Sequence, residues 1–175
     1  MISIFFNRVF RSIKIDPDVY DEVQKDKTAT LSAAFVVVIS SLAAGIAAKQ
    51  LGASSFIFAP ILSLLSWFVW AYIVYFVGVK LFPEGGQAAP KTKTTHAALL
   101  RAIGFSSAPG IIRVFGFTPE LMTVTFIGSA LWMLACMVVA VRQTLNYRSL
   151  WKALGVVIMS WLVQAFLLIS ILAVT

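Results

Sequence analysis

Residues 98–118 have the sequence ALLRAIGFSSAPGIIRVFGFT, and this stretch decides how the chain can fold. It is long and apolar enough to cross a bilayer, yet it contains Arg101 and Arg113, and an arginine is costly at membrane depth. It also contains three glycines and Pro109. Because proline frees a backbone carbonyl one turn earlier, the helix should kink or break there. A span that only sat in lipid would not need two arginines, so the rest of the chain has to decide whether this segment crosses and what the arginines do.

The composition of the whole chain is that of a membrane protein. Of the 175 residues, 60% are hydrophobic and 12% are charged, whereas a soluble domain is nearer half apolar and a quarter charged. Basic residues that flank membrane spans usually set topology. We therefore interpret the net charge of +7 as basic residues that set the orientation of the protein in the membrane, and we expect no nucleic-acid partner.

Five apolar segments approach or exceed the length needed to cross a bilayer. The sequence therefore predicts an all-α membrane protein with five transmembrane helices. Residues 1–27 would form a cytoplasmic N-terminal region, and residues 28–175 would form the transmembrane domain. The predicted spans are 28–48, 56–82, 98–117, 121–141 and 154–174.

The basic residues also predict which way the bundle points. With five crossings, all of the 14 Lys and Arg residues except Lys49 and Arg113 fall on the side of the N-terminus. A re-entrant third segment would move Arg142, Arg148 and Lys152 to the other side and weaken this bias. Since the cytoplasmic loops of membrane proteins carry an excess of Lys and Arg, we expect a cytoplasmic N-terminus and an external C-terminus. The alternative is a protein with four crossing spans, in which the third segment forms a re-entrant hairpin.

The N-terminal residues have the periodicity of an amphipathic helix. Ile2, Phe6 and Val9 share one arc, and Arg8 and Arg11 lie on the opposite one. This pattern predicts a helix in the headgroup layer, with its basic residues toward anionic lipid. The alternative is a helix that packs on the protein's own spans, and both arrangements can hold together.

An acidic stretch follows this helix. Asp16 and Pro17 supply a capping acid and a proline at the first helical position, which predicts a new helix. The helix, DVYDEVQKD, is polar, and we interpret it as a solvated connector.

The third span offers two interpretations. In one, Arg101 and Arg113 extend to the headgroups and Pro109 is a tolerated kink. In the other, the broken span is a central packing element that approaches neighbours closely at Gly104 and Gly110. Its arginines would then bind freed carbonyls, lipid phosphate or a partner's acid, while nearby serines satisfy the loosened backbone.

A second basic cluster precedes the last span. It contains Arg142, Arg148 and Lys152 together with Trp151. In one interpretation the basic residues only set the topology, and Trp151 lies in the belt of aromatic residues at the membrane surface. The alternative is a binding site for lipid headgroups or a partner protein.

The inventory of reactive side chains argues against an enzyme. None of the seven acids falls inside a predicted span, and the one histidine, His96, lies in a loop, where it is usually solvated. No spacing indicates a metal site, a nucleophile with its base, or a phosphate-cradling glycine loop. We therefore expect no catalytic residue, no metal and no cofactor.

Two further motifs carry a resemblance to a known family. The acidic IDPDVYDEVQKDKTAT leads into an Ala/Ser-rich span, and VRQTLNYRSLWKAL opens the last one. With LLRAIGFSSAPGIIRVFG, where Gly104 and Pro109 match a central glycine-to-proline segment, the chain resembles the Yip family in its small prokaryotic form. The resemblance implies five spans and a cytoplasmic N-terminus. Eukaryotic relatives are linked to Rab-type GTPases through a longer N-terminal region than residues 1–27.

These observations predict a non-enzymatic membrane scaffold that binds a partner protein or organises lipid. The alternatives are an accessory subunit of a larger membrane complex, such as an energy-converting one, and a small channel or carrier. The expected partners are the bilayer, anionic headgroups, and other membrane chains or further copies. The expected location is the bacterial cytoplasmic membrane.

Overall fold

The computed structural model describes residues 2–48, 58–84 and 94–174, and these residues form helices joined by short turns. Two short helices come first, α1 (Ile2–Ile13) and α2 (Pro17–Lys25). Longer elements follow: α3 (Ala29–Ala48), α4 (Phe58–Phe76) with a π-helical turn (Val77–Leu81), α5 (His96–Ser106) with a 3-10 helix (Ala108–Phe115), α6 (Pro119–Thr144) and α7 (Leu150–Val174).

Five of these stretches are long and apolar enough to cross a membrane, which confirms the predicted all-α class with five spans. The helices α5, α6 and α7 start at His96, Pro119 and Leu150, two to four residues before the predicted starts of the third, fourth and last spans. Lys49, residues 56–57 and the loop 85–93 lie outside the described residues. The side of the membrane on which each terminus lies stays a prediction.

Side-chain caps fix the start of three helices. The Asp16 carboxylate accepts from the Asp18 backbone N–H, with Pro17 in the first turn of α2. Thr95 and Thr118 accept in the same way from residues three positions later, at the starts of α5 and α6. Each cap satisfies a backbone donor that has no partner within the helix. These capping residues therefore position the third and fourth spans.

The third span is the centre of the bundle. In its apolar window 67% of residues are buried, against 22% to 33% in the other four spans. Every residue of α5 from Ala98 to Ser106 is buried, because α3, α4, α6 and α2 all contact it. Trp67 of α4 packs against two buried hydrophobic clusters, one that contains Leu99 and Ile103 and one that contains Ala102 and Phe105. Its indole N–H donates to the Leu100 carbonyl at 3.0 Å.

The acidic helix α2 packs into the bundle, so its interpretation as a solvated connector is wrong. Val19, Tyr20 and Val23 are fully buried against Ala102 and Phe105 of α5. The spacing of these three residues places them on one face of a helix. The acids occupy the remaining faces, so a helix that is polar by composition still buries an apolar stripe.

Candidate functional site

An ionic cluster joins the two N-terminal helices. The Arg8 guanidinium bonds Glu22 and Asp26, each at 2.8 Å. The Arg11 guanidinium bonds Asp16 at 2.7 Å and Glu22 at 2.8 Å. Arg8 is only 9% exposed. The acids of α2 engage both guanidinium groups, so α1 packs on the protein's own helices, and contact of these arginines with anionic lipid stays a prediction.

The same contacts shift the titration of the acids. Hydrogen bonds from Thr28, and next from Arg8, lower the pKa of Asp26 to about 2. The bond from Arg11 lowers the pKa of Asp16. Partial burial raises the pKa of Glu22, but the bonds from both arginines outweigh this effect, so its pKa lies below the usual value. All three carboxylates are therefore charged over the ordinary pH range.

The apolar arc of α1 is divided between the protein and its surroundings. Val9 is buried in the cluster formed with α2, α3 and α5, as the interpretation of packing on the protein's own helices requires. Ile2 and Phe6 are 76% and 54% exposed. An outward-facing apolar row on α1 is also what an interfacial helix needs, and its insertion into lipid stays a prediction.

Arg101 connects α5 to the end of α2. Its Nε donates to the Val23 carbonyl at 2.9 Å, and its Nη2 donates to the Gln24 carbonyl. These carbonyls belong to the last turn of α2, where no intrahelical partner exists. Arg101 is 6% exposed, and these two carbonyls hold its guanidinium in place. It binds backbone carbonyls as one interpretation expected, but those of a different helix.

The third span breaks next to Pro109. The α-helix ends at Ser106, and the chain continues as a 3-10 helix from Ala108. The Ser106 and Ser107 hydroxyls donate to the carbonyls three residues earlier, as predicted. The Ser40 hydroxyl of α3 donates to the Ser107 carbonyl at 2.6 Å. A 3-10 helix rises more per residue, so the two parts still extend over roughly 30 Å.

The glycines of the third span let other helices approach, as predicted. A Cβ added at Gly104 would lie 2.7 Å from the Ala33 side chain and 3.2 Å from the Ala33 carbonyl. A Cβ added at Gly110 would lie 3.1 Å from Ser40 and from Met133. Gly104 therefore requires the smallest side chain, since α3 occupies the space that a larger one would fill, whereas a methyl group at Gly110 would need Ser40 and Met133 to shift by a few tenths of an ångström.

Arg113 packs on α6. Its Nε donates to the Ser129 hydroxyl at 2.8 Å, and its guanidinium lies 5.0 Å from the centre of the Phe126 ring. This geometry is that of a cation–π contact. Of the two interpretations of the third-span arginines, central packing describes Arg113 better than extension to headgroups does.

The second basic cluster has two parts. The Lys152 ammonium bonds Glu84 at 2.6 Å and lies 4.7 Å from the Tyr147 ring centre, so it ties α7 to the chain after α4. Trp151 is 80% exposed, and Arg148 is exposed as well. Arg142 is half-buried, and its Nε is buried with no hydrogen-bond partner among the described residues. A headgroup or partner site at these residues stays a prediction.

His96 belongs to a helix and not to the loop in which the sequence placed it. It is the first residue of α5, and its ring centre lies 5.0 Å from Phe68, 5.8 Å from Tyr72 and 6.3 Å from Tyr75. It is half-buried rather than solvated. Sequence reasoning missed this contact because the aromatic residues come from α4, on the far side of an intervening loop.

Two cavities border the N-terminal helices. One, of about 500 Å³, lies between α1 and α3 and is mostly apolar, with Phe6, Leu31 and Phe35 in its walls. The other, of about 470 Å³, lies between α2, the start of α5 and the turn after α6, and it is lined mostly by polar and charged residues. The two cavities thus offer different environments on either side of the same two-helix unit.

Comparison with known proteins gave one match. A family model described as the Yip1 domain matches residues 10–172. The matched region includes all five spans and most of the N-terminal unit. Neither a curated protein nor a solved structure matches the chain.

Proposed function

Since the chain belongs to the Yip1 domain family and is an integral membrane protein, we propose that it acts as a non-enzymatic membrane scaffold. It would bind a partner protein or organise lipid, as a small prokaryotic member of the family in the bacterial cytoplasmic membrane. The helices α1 and α2 would form its cytoplasmic face.

The observation that carries this proposal is the attachment of α2 to the third span through Arg101. The guanidinium bonds two carbonyls at the end of α2, and the ionic cluster then ties α1 to α2. A two-helix unit fixed in this way presents one constant surface, which lowers the entropy cost of binding a partner. Arg8, Arg11 and Arg101 each hold helices together here, which supports a structural role for these side chains.

The apolar cavity supports a role in lipid organisation. It lies between the amphipathic α1 and the first span, and Leu31, Phe35 and Ile39 line it along α3. An acyl chain fits such a wall, because burial of methylene groups against apolar side chains is favourable. Exposed Ile2 and Phe6 would extend the same surface into the headgroup boundary.

The second candidate function is that of an accessory subunit in a larger membrane complex. The outward faces of α6 and α7 favour it, since only 22% of each apolar window is buried. Trp161, Leu162 and Phe166 are exposed on α7. Such a face can contact lipid or a neighbouring chain equally well.

Photo-crosslinking with mass measurement separates these candidates. A crosslinking amino acid is placed at Phe10 of α1 or at Phe166 of α7, both exposed, and the protein is purified from its own membrane. A scaffold should give specific crosslinks from Phe10 and a core particle that contains this chain alone. Stoichiometric foreign chains crosslinked at Phe166 would instead support the accessory subunit and contradict the free-standing scaffold.

The third candidate, a small channel or carrier, has its own test. Purified protein is reconstituted into liposomes, and solute flux is measured. The scaffold proposal expects no selective flux. Selective flux that Arg101→Ala abolishes would replace the scaffold by a transport function.

A further inference from the structure

We propose that the polar cavity beside Arg101 binds a phosphate group, carried either by a lipid headgroup or by a free phosphate. Its walls come from α2, the first turns of α5 and the turn that follows α6. The proposal concerns a ligand site, and it can hold or fail independently of the scaffold function.

The charges around the cavity favour an anion. Lys25, Lys27 and Arg101 line it, and Asp21 is the one carboxylate among the described residues of its wall. The Gln24 amide donates to Asp21 at 2.7 Å, which satisfies part of that carboxylate. The lining therefore has an excess of positive charge, and an anionic ligand would balance it.

The donors are of the types that bind phosphate. Arg101 is held in place by its bonds to Val23 and Gln24, and a guanidinium has five N–H donors in a planar fork. The Thr95 hydroxyl oxygen accepts from the Ala98 N–H, so its own proton is available to a ligand. A fixed arginine, two lysines and a hydroxyl thus border one cavity, and each is a donor that phosphate oxygens accept from.

The position of the cavity favours phosphate over a carboxylate from a partner protein. Thr95 caps α5 at the first residue of the third span, so the cavity lies where that span begins. Arg101 is five residues after His96, the first residue of the span, roughly 7.5 Å further along the helix. The start of a span is the level at which lipid phosphates are concentrated and at which basic pockets between helices bind headgroups. The volume of about 470 Å³ is ample for a phosphate ester.

The test measures binding by the full chain purified in a maltoside detergent. Native mass spectrometry counts retained dioleoylphosphatidylglycerol against dioleoyl digalactosylglycerol, a lipid without phosphate. Inorganic phosphate is then added as a competitor. Preferential retention of phosphatidylglycerol that inorganic phosphate cannot displace identifies a headgroup site. Displacement at millimolar phosphate identifies a site that also accepts free phosphate.

Three variants test the cavity itself. Lys25→Gln with Lys27→Gln should weaken phosphatidylglycerol retention about tenfold, since each basic residue near a membrane surface contributes several-fold to binding. Asp21→Asn should strengthen retention about threefold by removing the opposing charge. The matched control, Lys14→Gln with Lys80→Gln, removes the same charge from two exposed residues outside the cavity wall and should leave retention unchanged.

Two results would overturn the proposal. One is equal retention of the two lipids together with no binding of inorganic phosphate. The other is an equal loss in the cavity variant and the control variant, which would mean that net charge attracts the anion without a site. Because all the substituted lysines are exposed, an unchanged unfolding temperature is expected and confirms that each variant is folded.

Discussion

The third span is less apolar than the last span, yet it is buried more deeply in the protein. The third has a mean hydropathy of 1.3, the lowest of the five, and 67% of it is buried. The last has a mean hydropathy of 1.7, and 22% of it is buried. Between helices in lipid there is no hydrophobic driving force, since lipid tails are as apolar as leucine. Small and polar residues therefore decide which span becomes central.

The two spans also use their polar residues differently. In the third span, Arg101 and Arg113 bind groups of other helices, and the Ser107 carbonyl accepts a bond from α3. In the last span, the buried Ser160 hydroxyl donates to the Val156 carbonyl of its own helix, and the Lys152–Glu84 bond, which leaves the helix, lies at its first turn. A polar group that bonds outside its helix fixes a neighbour, whereas one that bonds within its helix does not. Substitutions matched between the two spans can test this difference.

The largest effect is expected for Arg101→Ala. The change leaves the Val23 and Gln24 carbonyls without their donors, and we expect the free energy of unfolding to fall by about 3 kcal/mol. The control is Lys152→Ala on α7, which breaks a partly exposed ion pair with Glu84 and should cost less than about 1 kcal/mol. Unfolding in mixed micelles measures both, and hydrogen exchange should show α2 as the first helix to open. Equal losses in the two variants would contradict a central role for Arg101.

The next effect compares two glycines. Gly104→Ala places a methyl group 2.7 Å from the Ala33 side chain, and we expect a loss of about 2 kcal/mol from overpacking. Gly155→Ala on α7 meets nothing within 4 Å among the described residues, so it should be neutral or slightly stabilising through higher helix propensity. Thermal unfolding followed by tryptophan fluorescence is the measurement. A tolerated Gly104→Ala would show that α3 and α5 can separate without cost.

A smaller effect is expected for two buried serines. Ser40→Ala removes the bond across to the Ser107 carbonyl at the helix break, and we expect a loss of about 1 kcal/mol, typical of hydrogen bonds between membrane helices. Ser160→Ala removes only a bond within α7, to a carbonyl that the helix already satisfies, so its effect should be close to zero. Unfolding in mixed micelles should rank the two in this order, and the reverse order would mean that the break needs no support from α3.

The smallest effect is expected from acid. The pKa values of Asp16, Glu22 and Asp26 are lowered in the folded protein, so their stabilising contribution is complete above about pH 4, near their unfolded values, and is lost toward about pH 2. Hydrogen exchange in α1 and α2 should accelerate across this window. Exchange in α7 beyond its first turn, away from the Lys152–Glu84 ion pair, should not, because α7 itself contains no acid. Asp26→Asn should weaken the acid response of α1 and α2, and an unaltered response would rule out Asp26 as a contributor.

Some features that sequence reasoning missed had a visible signal. The spacing of Val19, Tyr20 and Val23 on one helical face could have predicted that α2 packs on the bundle. The basic arc of α1 and the acids of α2, only 14 residues apart for Arg8 and Glu22, could have suggested the ionic cluster. Both signals were missed because α2 was judged by its average composition, and a helix rich in acids is expected to be solvated when its apolar stripe is not considered.

Other features had no signal in the sequence. The acceptors of Arg101 are backbone carbonyls 77 and 78 residues away. Because every residue has a backbone carbonyl, residue types do not indicate which carbonyl accepts a bond. The aromatic contacts of His96 come from α4, and no local pattern relates the two. Such contacts depend on which helices become neighbours, which is a property of the packed bundle.

Local composition and backbone geometry were enough to predict the membrane class, the five apolar spans, the break at Pro109 and the close approach at Gly104 and Gly110. Only the packed bundle shows that the least apolar span is the centre and that Arg101 binds the end of α2. The physical reason is that in lipid helices associate through small surfaces and polar groups, and the partners of those groups exist only once the helices meet.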